Sequence, residues 1–250
     1  MKIMKTKILS TSQKRQMRLP TPLTAEAIGL DSVLYSNALR YLFDRPVPAA
    51  GEEEWYWNID EPEFEATPLE WTRIQTVLFA NAGTDLAPYS DQQVGMGLDY
   101  VMSNSASDIP HMANDPSVPL LDAMRMMVAF PSLWRDCIGP RLENAQAQGN
   151  ESSANRLNYV CYMWFDVWPT PRNEKHIPEW RDALWNVFCE MLDMPCREVQ
   201  RSALHGIGHD GRYLERQEAI DQRIARFIAA TKDDMELVDY ARAAARGMVQ

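Results

Sequence analysis

Two of the chain's four histidines, His205 and His209, stand four residues apart in the run Pro195-Cys-Arg-Glu-Val-Gln-Arg-Ser-Ala-Leu-His-Gly-Ile-Gly-His-Asp-Gly211. On a helix that offset puts both imidazoles on one face, where they can share a divalent metal if other segments supply the remaining ligands. Glu198 and Ser202 extend the pair into a polar stripe with offsets of four, three and four. At about 100° per residue, Cys196, Val199, Ala203 and Ile207 fall on the opposite side and read as the buried stripe. The segment lacks His-Glu-x-x-His; Gly206, Ile207 and Gly208 separate the two histidines. A Ser–His–Glu triad fails as well, because one helix offers neither a nucleophile turn nor a shaped oxyanion site. The plain reading has the histidines bonding a neighbouring helix through their ring nitrogens. The functional reading places Glu198, Ser202, His205 and His209 on a partner-facing surface, and a metal-dependent enzyme centred on His205 and His209 is the alternative.

Residues 49–66 form a second unusual stretch. Seven acids (Glu52, Glu53, Glu54, Asp60, Glu61, Glu63, Glu65) and four aromatics (Trp55, Tyr56, Trp57, Phe64) occur there without a basic residue. A structureless connection this long is uncommon in a compact domain unless it is functional or disordered, and its aromatic content argues against disorder. It reads either as a loop strapped across helices by Trp55 and Trp57 or as a partner-binding loop. In the second case Glu53, Trp55, Trp57, Asp60 and Glu61 present aromatic anchors ringed by acids to a basic protein surface.

Charge supports such a partner. The 250-residue chain has a formal net charge of −10, and residues 1–22 contribute +6 through Lys2, Lys5, Lys7, Lys14, Arg15 and Arg18, so the rest carries −16. A chain this acidic is a poor nucleic-acid binder. It has no apolar run long enough for a membrane span and no secretory h-region. The basic start reads as a disordered tail or an extension ahead of Met17. Cys137, Cys161, Cys189 and Cys196 form no C-x-x-C pair and sit in helical apolar patterns, which predicts reduced core cysteines in a cytoplasmic protein. No phosphate-cradling glycine loop, dinucleotide fingerprint or nucleophile elbow occurs, so no cofactor is expected.

The elements that must position these residues read as helices throughout. Thr24 opens a first helix with Ile28, Val33, Leu34, Leu39, Leu42 and Phe43 inward, ending before Pro46. Thr67-Pro68 and Ser90-Asp91 cap two more, the first stopping at Asn81-Ala-Gly83. Residues 104–119 read as a loop and 118–130 as a central helix broken by Pro131. Ser152-Ser153 caps a helix whose Cys-Tyr-Met-Trp-Phe-Asp-Val-Trp168 run is too aromatic to be exposed. Pro178 starts a helix with Trp180, Leu184, Val187, Phe188, Met191 and Leu192 inward, and two helices follow 195–211. The total is about ten, in one domain over residues 23–250. Beyond Ser152, pairs recur every ~40 residues, the interval of HEAT/armadillo repeats; an irregular bundle has the same spacing.

The run Ser202-Ala-Leu-His-Gly-Ile-Gly-His209, with Leu34-Tyr-Ser-Asn-Ala-Leu-Arg-Tyr-Leu-Phe43 and Cys161-Tyr-Met-Trp-Phe-Asp166, resembles a group of uncharacterised bacterial proteins with HEAT-like helices, over most of the chain from Ser32. The resemblance implies an all-α stack and a binding role rather than an activity. By analogy of fold and charge, small acidic helical proteins of bacteria include immunity proteins that neutralise a toxin. The expectation is therefore a non-enzymatic scaffold, most concretely an immunity-type inhibitor of a basic toxin domain, with a general adaptor as a further alternative.

Overall fold

A computed structural model describes residue 17 and residues 19–49 and 51–249. The basic start expected at 1–22 lies mostly outside the described residues. The described chain is all-α. Ten helices carry it: α1 (Ser32–Phe43), α2 (Pro68–Asp85), α3 (Asp91–Met102), α4 (Leu120–Leu133), α5 (Gly139–Ala147), α6 (Asn155–Val167), α7 (Pro178–Leu192), α8 (Arg197–Asp210), α9 (Gln217–Ala230) and α10 (Met235–Ala245). Single turns at Ile109–Met112 and Thr170–Asn173 interrupt two of the connections.

The helices form two rows. In one, α1 packs on α3, α3 on α6, α6 on α8 and α8 on α10; in the other, α2 packs on α4 and α4 on α7. Contacts between α7 and α8 and between α9 and α10 tie consecutive helices together. The stack is not made of matching units, for α2 has 18 residues and α5 has 9. Buried apolar residues from Leu23 to Ala244 join in one core. At its centre Phe130 stacks on Trp168 with ring centroids 4.9 Å apart and meets Trp164 at 5.2 Å.

Local chemistry explains most helix starts. At α2, Thr67 accepts from the Glu70 backbone N–H while the Glu70 carboxylate accepts from the Thr67 N–H, a capping box with Pro68 just inside. Ser90 and Gln93 repeat the device at α3. The inward residues expected on α7, Trp180, Leu184, Val187, Phe188, Met191 and Leu192, are all buried.

Several boundaries differ from the sequence-based expectation. The first helix divides into a single turn, Glu26–Ile28, and α1, because Gly29 takes φ +73° and Asp31 caps α1 anew. The restart shifts the phase, so Tyr35, Ala38, Leu42 and Phe43 are buried while Val33 is 65% exposed. Gly83 does not stop α2, which runs to Asp85; the glycine lies against the Asp136 carbonyl, only 2.6 Å from where a Cβ would stand. Pro131 does not break α4. The helix passes through it into a π-type turn, Trp134–Ile138, and on into α5. Proline inside a helix costs about 3 kcal/mol, and burial of Phe130, Pro131, Leu133 and Trp134 offsets it. Ala154, not a serine side chain, occupies the cap position of α6. Pro195 also precedes α8, whose cap residue is Cys196.

Candidate functional site

The histidine segment lies on α8, between α6 and α10. As expected, Cys196, Val199, Ala203 and Ile207 are buried. The polar stripe, however, is not a free surface. Ser202 and His205 are 0% and 1% exposed, and only Glu198 and His209 reach solvent in part. The expected partner-facing role of Ser202 and His205 is therefore corrected: α8 is covered on both sides, and these residues meet helices of the same chain. Ser202 Oγ is buried without a hydrogen-bond partner among the described residues.

What faces the histidines is Asp166 of α6. Its Oδ2 lies 2.9 Å from His205 Nε2, and its Oδ1 lies 3.0 Å from His209 Nε2. His205 Nδ1 is 2.6 Å from the Tyr240 hydroxyl of α10, which is itself 3.2 Å from the Tyr162 hydroxyl. Gly206 of the motif makes this closeness possible. A Cβ on Gly206 would stand 2.4 Å from Phe188 Cε1 and 2.8 Å from Phe165 Cγ, so only glycine lets α8 approach α6 and α7 this closely. Burial pulls the His205 pKa below its ordinary value against the opposing pull of Asp166, which keeps the ring neutral near pH 7. Next to the cluster, Arg172 donates to Asp210 at 2.6 Å, while burial raises the Asp210 carboxyl.

Asp166 and Tyr240 were not among the residues singled out by spacing. Asp166 did leave one signal, as the only charged residue between Arg156 and Arg172 in an otherwise apolar and aromatic run. The Tyr240 contact comes from 35 residues away, and no local pattern encodes it.

The acid-aromatic segment is a strap. A 3-10 turn, Trp55–Trp57, sits against α1 and α3 through Tyr41 and Tyr100. Trp55 meets Tyr41 and Tyr100 with ring centroids at 5.1 and 4.7 Å, and the Arg45 guanidinium lies 4.4 Å above it. Glu61 accepts from Arg45 at 2.5 Å, Glu54 pairs with Arg156, and Tyr56 donates to Asp99 at 2.8 Å. Trp55 and Glu61 are thus engaged within the chain. Glu53, Trp57 and Asp60 remain exposed, and Ile59 beside them is 97% exposed. Two sets of expected site residues, the strap and α8, are not brought together by any contact described above.

Beyond the strap the chain borders an open groove of about 670 Å³. One wall is Glu63–Thr67 with Glu70 and Trp71; the other is residues 104–109 with Met112, over Tyr100. Glu63, Glu65, Glu70 and Asp108 line it, and among the described residues no lysine or arginine does. Sequence reasoning named Glu63 and Glu65 but neither Glu70 nor Asp108, and none of Glu53, Trp55, Trp57, Asp60 and Glu61 lines the groove. Its two walls are about 40 residues apart in sequence, and the turn Ile109–Met112, which packs on both α2 and α3, brings them together.

No helix among the described residues is long and apolar enough to cross a membrane. Comparison of the chain with protein-family profiles, with curated proteins and with solved structures finds no match.

Proposed function

We propose that this chain is a non-enzymatic binding protein that receives a basic segment of another protein, most concretely an immunity-type inhibitor that occludes a basic toxin domain. The observation that carries the reading is the groove, which Glu63, Glu65, Glu70 and Asp108 line together with Phe64, Trp71 and Tyr100, and among the described residues no lysine or arginine does. A lysine or arginine of the partner can lay its stem on Phe64 and Tyr100 and reach the carboxylates with its head. Exposed Trp57 and Ile59 on the neighbouring strap extend the contact with apolar surface. The −16 carried beyond residue 22 speeds encounter with a cationic partner. Four free cysteines, three of them buried, accord with a cytoplasmic setting, which belongs to the same proposal.

The test is calorimetric titration of the full chain with a short lysine- and arginine-rich peptide, beside the variant Glu63→Lys/Glu65→Lys/Asp108→Lys. All three positions are exposed, so the fold should survive the change. Binding that weakens with salt and falls at least tenfold in the variant supports the reading. Equal affinity in both proteins removes the groove from it.

A further inference from the structure

We propose that Asp166, His205 and His209 form a binding site for one divalent transition-metal ion, zinc or ferrous iron. This site is separate from the groove and does not depend on the partner reading. Its three donor atoms, one per residue, lie within 4.8 Å of one another. One Asp166 oxygen lies 2.9 Å from His205 Nε2 and the other 3.0 Å from His209 Nε2, so both imidazole nitrogens face the same carboxylate, and an ion among the three groups would take the two nitrogens and a carboxylate oxygen.

The same two distances also fit hydrogen bonds, so the rest of the cluster has to decide. Charge is the first consideration. Asp166 is a carboxylate with its side chain 25% exposed, and its ion-pair partners among the described residues are the two imidazoles. The nearby guanidinium of Arg172 is turned to the Asp210 carboxylate and to main-chain oxygens of Phe165 and Asp166. Arg201 lies over the rings of Tyr162 and Tyr240, 5.0 and 5.4 Å from their centroids. Among the described residues, therefore, no guanidinium pairs with the Asp166 carboxylate. A divalent ion would supply the missing charge, and an imidazolium is the competing source.

The second consideration is tautomer control. The Tyr240 oxygen stands 2.6 Å from His205 Nδ1. When Nδ1 carries the proton and donates to that oxygen, Nε2 presents its lone pair toward Asp166. An outer hydrogen bond of this kind is what fixes a metal-binding imidazole. Tyr240 in turn has the Tyr162 hydroxyl as a neighbour. The third consideration is rigidity with access. The ligands stand on α6 and α8, locked together at Gly206, while the His209 side chain is 36% exposed and borders a cavity of about 300 Å³. Three protein ligands with solvent nearby leave a coordination position for water. Two nitrogens and one carboxylate suit zinc or ferrous iron, whereas magnesium and calcium prefer oxygen donors throughout.

The experiment is equilibrium dialysis of the chelator-stripped full chain against Zn²⁺, against Fe²⁺ without oxygen and against Mg²⁺, with bound metal counted by elemental analysis. The proposal predicts about one zinc or iron ion per chain and no retained magnesium. His209→Gln, checked for helicity by circular dichroism, should bind at least tenfold more weakly. Tyr240→Phe should lose about 10- to 100-fold through the outer bond alone. Should His209→Gln fail to fold, Asp166→Asn gives the same readout. Wild-type protein that retains neither zinc nor iron overturns the site, as does a folded His209→Gln or Asp166→Asn that binds as tightly as wild type.

Discussion

Replacing Trp55 by Ala removes a ring held by Tyr41, Tyr100 and the Arg45 guanidinium. Because Trp55 is only partly buried, the expected cost is about 2–3 kcal/mol, below that of a fully buried aromatic. Trp57 lies two residues on, is 46% exposed and donates its Nε1 to Glu54 at 3.1 Å. Its replacement by Ala should change stability by about 0.5 kcal/mol and weaken partner capture. Urea unfolding of the two single variants separates the roles. Equal losses of stability would make the whole strap structural. From sequence the two tryptophans look equivalent, because a WYW run says nothing about which ring turns inward. Likewise the helical wheel placed Ser202 and His205 opposite the apolar stripe and so outward. It could not show that α10 covers that side, and the Tyr240 contact that buries His205 is a tertiary fact.

At the scale of elements, Gly206 and the α2 cap make separate predictions. Gly206→Ala puts a methyl group into Phe188 and Phe165, and overpacking of this kind costs about 1–3 kcal/mol. The variant should melt lower and, since α8 is pushed from α6, should widen the gap between Asp166 and the imidazoles. A melting temperature at or above wild type would contradict the packing. At α2, backbone and side-chain hydrogen bonds from Thr67 hold the Glu70 carboxyl below the usual carboxylate range. A carboxyl lowered in the fold adds stability that is present above its unfolded value, near 4.3, and is lost as pH falls through the lower folded value. Glu70 is largely screened by solvent, so the effect is small, a few tenths to about 1 kcal/mol. Glu70→Gln should therefore be slightly less stable than wild type at pH 7 and indistinguishable from it in strong acid, as read by thermal melts across that range. A difference that grows toward acid would refute the assignment.

The start of α2 was legible in advance, since Thr67-Pro68 is a local code, whereas the Glu70 half of the box was not read from it. The inward face of α7 was legible too, for its six apolar residues keep helical period without interruption. Pro131 was misleading for a physical reason. Its penalty is local and fixed, while the aromatic packing that outweighs it involves residues 30 or more positions away, such as Trp164 and Trp168. Asp166 shows the same limit, because its position in an aromatic run marked it as unusual without naming His205 and His209 as its neighbours.

For the whole molecule, the two rows of helices set the strap and groove at the α1–α3 end and the histidine cluster toward α8 and α10. The groove forms where a strap that passes over α1 and α3 meets the connection leaving α3, with Glu70 and Trp71 of α2 and Tyr100 of α3 completing its lining. Three of the four groove acids, Glu63, Glu65 and Asp108, stand on irregular chain and Glu70 on the first turn of α2, and the proposed capture of a cationic segment would use them together. The measurement that tests this most directly is hydrogen–deuterium exchange of the full chain with and without a saturating lysine- and arginine-rich peptide. The account predicts slowed exchange confined to residues 54–71 and 104–112, with α8 unaffected. Protection centred on α8 to α10, or no protection in either groove wall despite measurable binding, would contradict it.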